Sequence, residues 1–114
     1  MKKTLLAGIA LAFMAAGASA HSTAEETIPA DAATVPSAKV IAMRFNDAMR
    51  ITAISLAGPN GEVPVTRETG MGPVTEFRAL PPDDLPGGAY KVDWRGMSSD
   101  GHPMQGSFGF TIAN

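Results

Sequence analysis

The sequence predicts an all-β fold, a small antiparallel β-sandwich or barrel of the Greek-key kind, and three observations predict it. Apolar residues recur with a period of two in short runs, most clearly Tyr90, Val92, Trp94 and then Phe108, Phe110, Ile112. Beyond the first twenty residues, no window of helical length keeps a 3.6-residue apolar period. Nine prolines and twelve glycines punctuate the short runs, the pattern of strands joined by turns. Neither an internal repeat nor a linker interrupts the chain, so one domain is expected.

The elements follow in order. Residues 22–38 are polar and read as an extended lead-in with a turn near Pro29-Ala30-Asp31. Ile41, Met43 and Phe45 share one face of a first strand, with Ala42 and Arg44 on the other. Ile51 to Leu56 is a second strand, Gly58-Pro59-Asn60-Gly61 is a turn, and Glu62 to Thr66 returns from it. Val74 to Leu80 forms another strand, followed by the turn-rich run from Pro81 to Gly88. Tyr90, Val92 and Trp94 alternate with Lys91, Asp93 and Arg95, a half-buried strand. The alternation of Phe108, Phe110 and Ile112 with Gly109 and Thr111 marks its partner. The two are joined by a loop from Gly96 to Gly106. Trp94 and Tyr90 are expected in the core.

The first twenty residues have the three parts of an export signal. Lys2 and Lys3 give a positive start, Leu5 to Ala16 is apolar, and Ala18-Ser19-Ala20 fits the small-x-small cleavage rule. That apolar stretch is shorter than the roughly 20 residues of a membrane span, and no other candidate follows. A cut after Ala20 divides the chain into a signal at 1–20 and a soluble domain at 21–114. Ala16-Gly17-Ala18 also fits the rule and would leave Ser19 first. The domain from His21 carries seven basic against eleven acidic residues and has no basic run, which argues against nucleic acid or an anionic membrane as partner. The chain has no cysteine. Disulfides, thiolate metal sites, thiol catalysis and a lipidated amino-terminal cysteine are therefore excluded.

The chain has two histidines. If cleavage follows Ala20, His21 becomes the first residue, and its α-amine and imidazole can close a chelate ring on one metal ion. His102 follows Asp100 in Ser98-Ser99-Asp100-Gly101-His102-Pro103. Asp-x-His alone is a weak motif, because Asp-Gly is good turn chemistry in its own right. With His21 the set becomes three nitrogens and an oxygen, the tetragonal ligation that Cu(II) prefers. Zinc would occupy the same atoms less tightly.

Longer patterns surround these residues: Pro29-Ala30-Asp31, Val40-x-x-x-x-Phe45-Asn46-Asp47, and Gly88-x-Tyr90-x-Val92-x-Trp94-x-x-x-Ser98-x-Asp100-Gly101-His102-Pro103-x-x-Gly106-x-x-x-Phe110. In these the chain resembles the CopC family, periplasmic copper-binding proteins of copper resistance and uptake systems. The resemblance covers essentially the whole chain after the signal. It implies a small Greek-key sandwich or barrel, immunoglobulin-like or cupredoxin-like, that binds one Cu(II) through His21, Asp100 and His102. It also favours the cut before His21. Many relatives place a glutamate where this chain has Asp47, one methylene shorter. Asp47 either hydrogen-bonds to the site or acts as a distant ligand, or it is a strand-end carboxylate facing water. A partner of the inner-membrane copper-transporter (CopD) type is implied as well.

Some members of that family hold Cu(I) in a methionine-rich loop, since thioethers are soft donors. Here Met43, Met49, Met71, Met97 and Met104 are scattered with no Met-x-x-Met cluster. A Cu(II)-only protein is expected, with Met43 in the core and Met97 and Met104 filling gaps beside the Asp-x-His turn. The leading expectation is thus a monomeric periplasmic Cu(II) carrier or buffer, not an enzyme. Two other classes are weighed against it. A histidine-brace copper oxidative enzyme, of the polysaccharide-cleaving monooxygenase kind, would need an open axial position and a broad substrate face, whereas Asp100 is placed to fill the copper plane and the chain is short. A metal-free structural sandwich gains if the chain begins at Ser19.

Overall fold

The computed structural model describes residues 24–114, which form eight strands and no helix. His21 and the expected export segment lie outside the described residues. In chain order the strands are β1 (Ala24–Ile28), β2 (Ala33–Val35), β3 (Ile41–Gly58), β4 (Gly61–Val63), β5 (Thr66–Arg67), β6 (Val74–Leu80), β7 (Gly88–Ser98) and β8 (Pro103–Ile112). The hydrogen-bonded order is β2-β8-β7-β3-β6-β5, with β1 and β4 also paired to β3. Neighbours in space are mostly not neighbours in sequence, as a Greek-key path requires.

One strand organises the rest. The sequence predicts separate strands at 41–45 and 51–56, but β3 runs unbroken through 18 residues. Its first part, Ile41 to Arg44, lies between β1 and β6. The later part, from Met49 to Ala57, pairs with β7. Between these parts the register with β6 shifts, and a second irregularity falls at Ile51/Ala53. Irregularities of this kind bend a strand and let it pass from one layer of a sandwich to the other. Asn46, Asp47 and Ala48 occupy that corner.

The alternation read from the sequence is the alternation of burial. Along β7, Tyr90, Val92 and Trp94 are buried while Lys91, Asp93 and Arg95 are exposed. Residues from both layers form one core, including Ile41, Met43 and Phe77 on one side and Val92, Trp94, Phe108 and Phe110 on the other. Tyr90 and Phe110 are cross-strand partners stacked at 5.4 Å between centroids. Phe45 meets Trp94 edge-on at the same separation, 5.4 Å. Met43 is core, as expected. Ala42, expected on the outer face, is buried too. Its cross-strand partners Ile28 and Arg78 share that face and flank its single methyl.

Two further departures are physical. All pairings are antiparallel except one: β2 runs parallel to β8, Ala33 to Val35 beside Phe110 to Ile112. The lead-in is thereby made part of the sheet. Asp31, from the predicted turn, fastens it, because the Gly109 amide donates to Asp31 Oδ1 at 2.9 Å. Meanwhile the expected loop from Gly96 to Gly106 is mostly ladder, since β7 extends to Ser98 and β8 starts at Pro103.

Gly96 is where the corner and the hairpin meet. A Cβ there would lie 2.6 Å from the Arg50 carbonyl oxygen, a backbone atom that cannot step aside. Gly96→Ala is therefore expected to cost about 1–3 kcal/mol, the range of overpacking substitutions. Urea denaturation followed by circular dichroism measures it.

Candidate metal centre

The tight turn joining β7 to β8 sets the geometry. Ser98 N donates to the His102 carbonyl at 2.9 Å, and Gly101 N donates to the Ser98 carbonyl at 2.9 Å. Gly101 takes a φ of +89°, a left-handed conformation in which a side chain is strained. Ser98 holds both ends of the motif. Its hydroxyl donates to Asp100 Oδ1 and accepts from the His102 amide at 3.1 Å. Sequence reasoning gave Ser98 no role. A serine two residues before an aspartate at a turn was the available signal, because such hydroxyls bond locally.

Asp100 and His102 are brought together. His102 Nδ1 lies 3.1 Å from Asp100 Oδ1. The Ser98 hydroxyl and the imidazole both face Oδ1, which leaves Oδ2 and His102 Nε2 outside these contacts. Both side chains are well exposed, 68% for Asp100 and 75% for His102, so an ion can reach them from solvent. The Ser98 hydrogen bond, and next the attraction of His102, hold the Asp100 carboxyl below its ordinary range. A depressed carboxyl contributes stability above its unfolded-state pKa and loses it as pH falls through the folded one. Through mildly acidic pH, Asp100 is thus a carboxylate with no proton for a metal to displace.

Asp100 and His102 stand on the rim of a cleft of about 590 Å³ at the β3 corner. Asn46, Asp47 and Met49 of β3, Glu25 of β1 and Met104 of β8 also line it. Among the described residues, three carboxylates and no lysine or arginine line this space, a field that gathers cations. The sequence had offered Asp47 two positions, beside the site or turned away. It lines the cleft, exposed, with Asp100 and His102.

Glu25 was not anticipated. It stands on the strand that leads in from His21, and Arg44 of β3 holds that strand. Arg44 donates to Glu26 through Nε at 3.1 Å and again through Nη2, and its Nη1 lies 3.7 Å from Glu25. The register shift between Ala24 and Glu26 makes room for both glutamates beside one arginine. Ala24 pairs with Phe45 and lines the cleft. The chain therefore enters the described fold at the candidate centre. Among the described residues no group of three His, Asp or Glu side chains is arranged to hold a metal ion; Asp100 and His102 supply two donors.

Comparison with known proteins places the fold in a family. The CopC domain family matches residues 24–113. Copper resistance protein C of Escherichia coli is 26% identical over 122 aligned positions, covering 98% of this chain and 97% of the relative. Copper resistance protein C of Xanthomonas campestris pv. juglandis is 28% identical, with 96% and 93% covered. The fold is similar to the crystal structure of PcoC, a methionine-rich copper resistance protein of Escherichia coli, with a TM-score of 0.67 and 27% identity. That match covers 82% of this chain and 99% of the other. CopC of Methylosinus trichosporium OB3b is similar with a TM-score of 0.68 and 27% identity, covering 81% and 93%.

Proposed function

The chain belongs to the CopC family, and from that premise we propose that it is a periplasmic carrier or buffer of Cu(II) that binds one ion per chain. Residues 1–20 direct export and are removed after Ala20, and the domain from His21 to Asn114 is a monomer. The observation that carries this reading is the convergence of Asp100 and His102 on an acidic cleft whose wall includes Ala24. His21 precedes Ala24 by three residues. Three residues span at most about 10–11 Å, so the covalent chain allows His21 to reach that wall.

In this reading the His21 amine and imidazole form one chelate ring, His102 Nε2 supplies the third nitrogen, and Asp100 Oδ2 supplies an oxygen. This set suits Cu(II) over other divalent ions. Asp47, shorter than glutamate by a methylene, orients the site through hydrogen bonds or solvent and does not bind the ion directly. Four donors fill the copper plane with protein atoms, which suits holding and release better than turnover, so the protein is a carrier and not an enzyme. The ion passes to an inner-membrane copper transporter of the CopD type.

Binding must displace protons from nitrogen. Free α-amines and imidazoles have reference pKa values of about 7.7–8.0 and 6.5. Affinity for Cu(II) should therefore fall as pH drops from neutral to mildly acidic. Asp100, already ionised, adds nothing to that slope. A copper titration across this range tests the reading, and an affinity independent of pH would count against nitrogen ligation. Copper should also stabilise the fold, by about 2.7 kcal/mol at a free concentration of 100 times Kd. A thermal melt with and without the ion reads that gain.

A further inference from the structure

Ser98 is the last residue of β7, and its cross-strand partner is Met49 just past the β3 corner. Its side chain lines the cleft beside Asp100 and His102. A serine hydroxyl has one proton to give and two lone pairs to offer. The His102 amide can only donate, and at 3.1 Å it takes a lone pair of Oγ. The single proton therefore goes to the carboxylate, at Asp100 Oδ1. That same oxygen lies 3.1 Å from His102 Nδ1. A neutral imidazole with one nitrogen against a carboxylate keeps its proton there, which puts the lone pair on Nε2. One half-buried hydroxyl thus ties the side chain of one proposed ligand to the backbone of the other. The fold itself does not call for it. Two backbone bonds already close the turn, from Ser98 N to the His102 carbonyl and from Gly101 N to the Ser98 carbonyl.

We propose that Ser98 is a positioning residue of the copper centre, which acts through Asp100 and touches no ion itself. The Asp100 side chain is 68% exposed, and nothing in its packing would hold one rotamer. Left alone, it would offer either oxygen, both, or neither. The Ser98 hydrogen bond fixes the rotamer and draws donor strength from Oδ1, so Oδ2 becomes the better ligand. A single carboxylate oxygen suits a tetragonal plane in which three nitrogens leave one place. It does not suit calcium, which takes six to eight oxygens and often a bidentate carboxylate. Order imposed before the ion arrives is also order that binding need not create. Carboxylates that ligate metals are commonly hydrogen-bonded in turn, and such partners matter to affinity. This inference rests on the reading of Asp100 and His102 as copper ligands, and it adds the residue that presets them.

The test measures Cu(II) affinity against a competing chelator, with electron paramagnetic resonance of the one-equivalent complex. It compares the chain beginning at His21 with its Ser98→Ala, Ser98→Thr and Asp100→Ala variants and the Ser98→Ala/Asp100→Ala double variant. Ser98→Ala should weaken Cu(II) binding by about 10–100-fold, the cost of removing a partner that orients a ligand. Its spectrum should shift in parallel g value and copper hyperfine splitting, with three nitrogens still counted. Ser98→Thr keeps the hydroxyl and should stay within a factor of a few of the native affinity. Without Asp100, Ser98→Ala should change little, because residues that act as one unit are not additive. Native affinity and spectrum in Ser98→Ala, beside a loss in Asp100→Ala, would overturn the positioning role and leave the Cu(II) reading intact. A full Ser98 effect that persists in the double variant, or Ser98→Thr as weak as Ser98→Ala, would overturn it too. Native affinity in Asp100→Ala would remove the carboxylate from the site and take both readings with it. Should Ser98→Ala fail to fold, Ser98→Thr and Ser98→Val decide, since they share a shape and differ in the hydroxyl. Equal copper affinity in that pair would then contradict the proposal.

Discussion

His102→Ala is expected to lower the affinity for Cu(II) by at least about 100-fold, the upper end of what removing a mere orienting partner of a ligand costs. The reason is that His102 supplies one of only three nitrogens in the proposed site, and an alanine there leaves a two-nitrogen chelate with one carboxylate. Without copper the variant should melt where the native protein does. The imidazole is 75% exposed, and surface changes of this sort usually fall within about 0.5 kcal/mol. The turn itself survives, since it is held by the His102 amide on Ser98 Oγ and by the Ser98–His102 backbone bond. With copper, the native protein should gain thermal stability and the variant should not. Isothermal titration with a competing chelator, paired with melts, separates these effects. Unchanged copper affinity in a folded variant would remove His102 from the site.

The largest effect on stability belongs to Trp94→Ala, expected to cost about 3–5 kcal/mol, the range for truncating a large buried aromatic. Trp94 is 3% exposed, meets Phe45 edge-on, and lies against Gly106 so closely that a Cβ there would be 2.9 Å from the ring. Domains typically hold about 5–15 kcal/mol in all, and this one has no disulfide to fall back on. At roughly 4–8 °C per kcal/mol for a domain of this size, the melting temperature should drop steeply. Urea denaturation by far-ultraviolet circular dichroism is the measurement, since the variant has no tryptophan to fluoresce. Trp94→Phe should retain most of the stability. A loss below about 1 kcal/mol for Trp94→Ala would mean the core tolerates a cavity there, contrary to close packing.

The strands most legible in the sequence were those with one wet face. Along β7 and the second half of β8, period-two alternation is the direct trace of a sheet with core on one side and water on the other. Val74–Leu80 was legible in part for the same reason, through the alternation around Phe77 and Ala79. The long β3 was not. Its corner residues Asn46, Asp47 and Ala48 break the alternation, and a polar break reads as a turn when the bend is really a shift of register within one strand. The parallel pairing of β2 with β8 leaves no local mark, because three residues of Ala-Thr-Val carry too little pattern to reveal a partner 77 residues away.

At the candidate centre, Asp100 and His102 could be read because one turn carries both. Glu25, Met49 and Met104 could not. They enter the cleft from three different strands, and their meeting depends on a register that only the folded sheet fixes. Methionine in particular hides in such readings, since a sulfur side chain on an alternating strand satisfies the core pattern whether or not it also faces a cleft. Asp47 lies between these cases: its motif was visible, but whether it faced the site depended on the corner in β3.

The proposed Cu(II) clamp stands or falls on the amine of His21, and electron paramagnetic resonance of the one-equivalent Cu(II) complex tests it most directly. Two chains should be compared, one beginning at His21 and one beginning at Ser19. In the first, the spectrum should carry hyperfine structure from three nitrogens in a tetragonal field. In the second, where that amine is tied up in a peptide bond, the pattern should change and the affinity should fall. Indistinguishable spectra and affinities from the two chains would contradict the clamp.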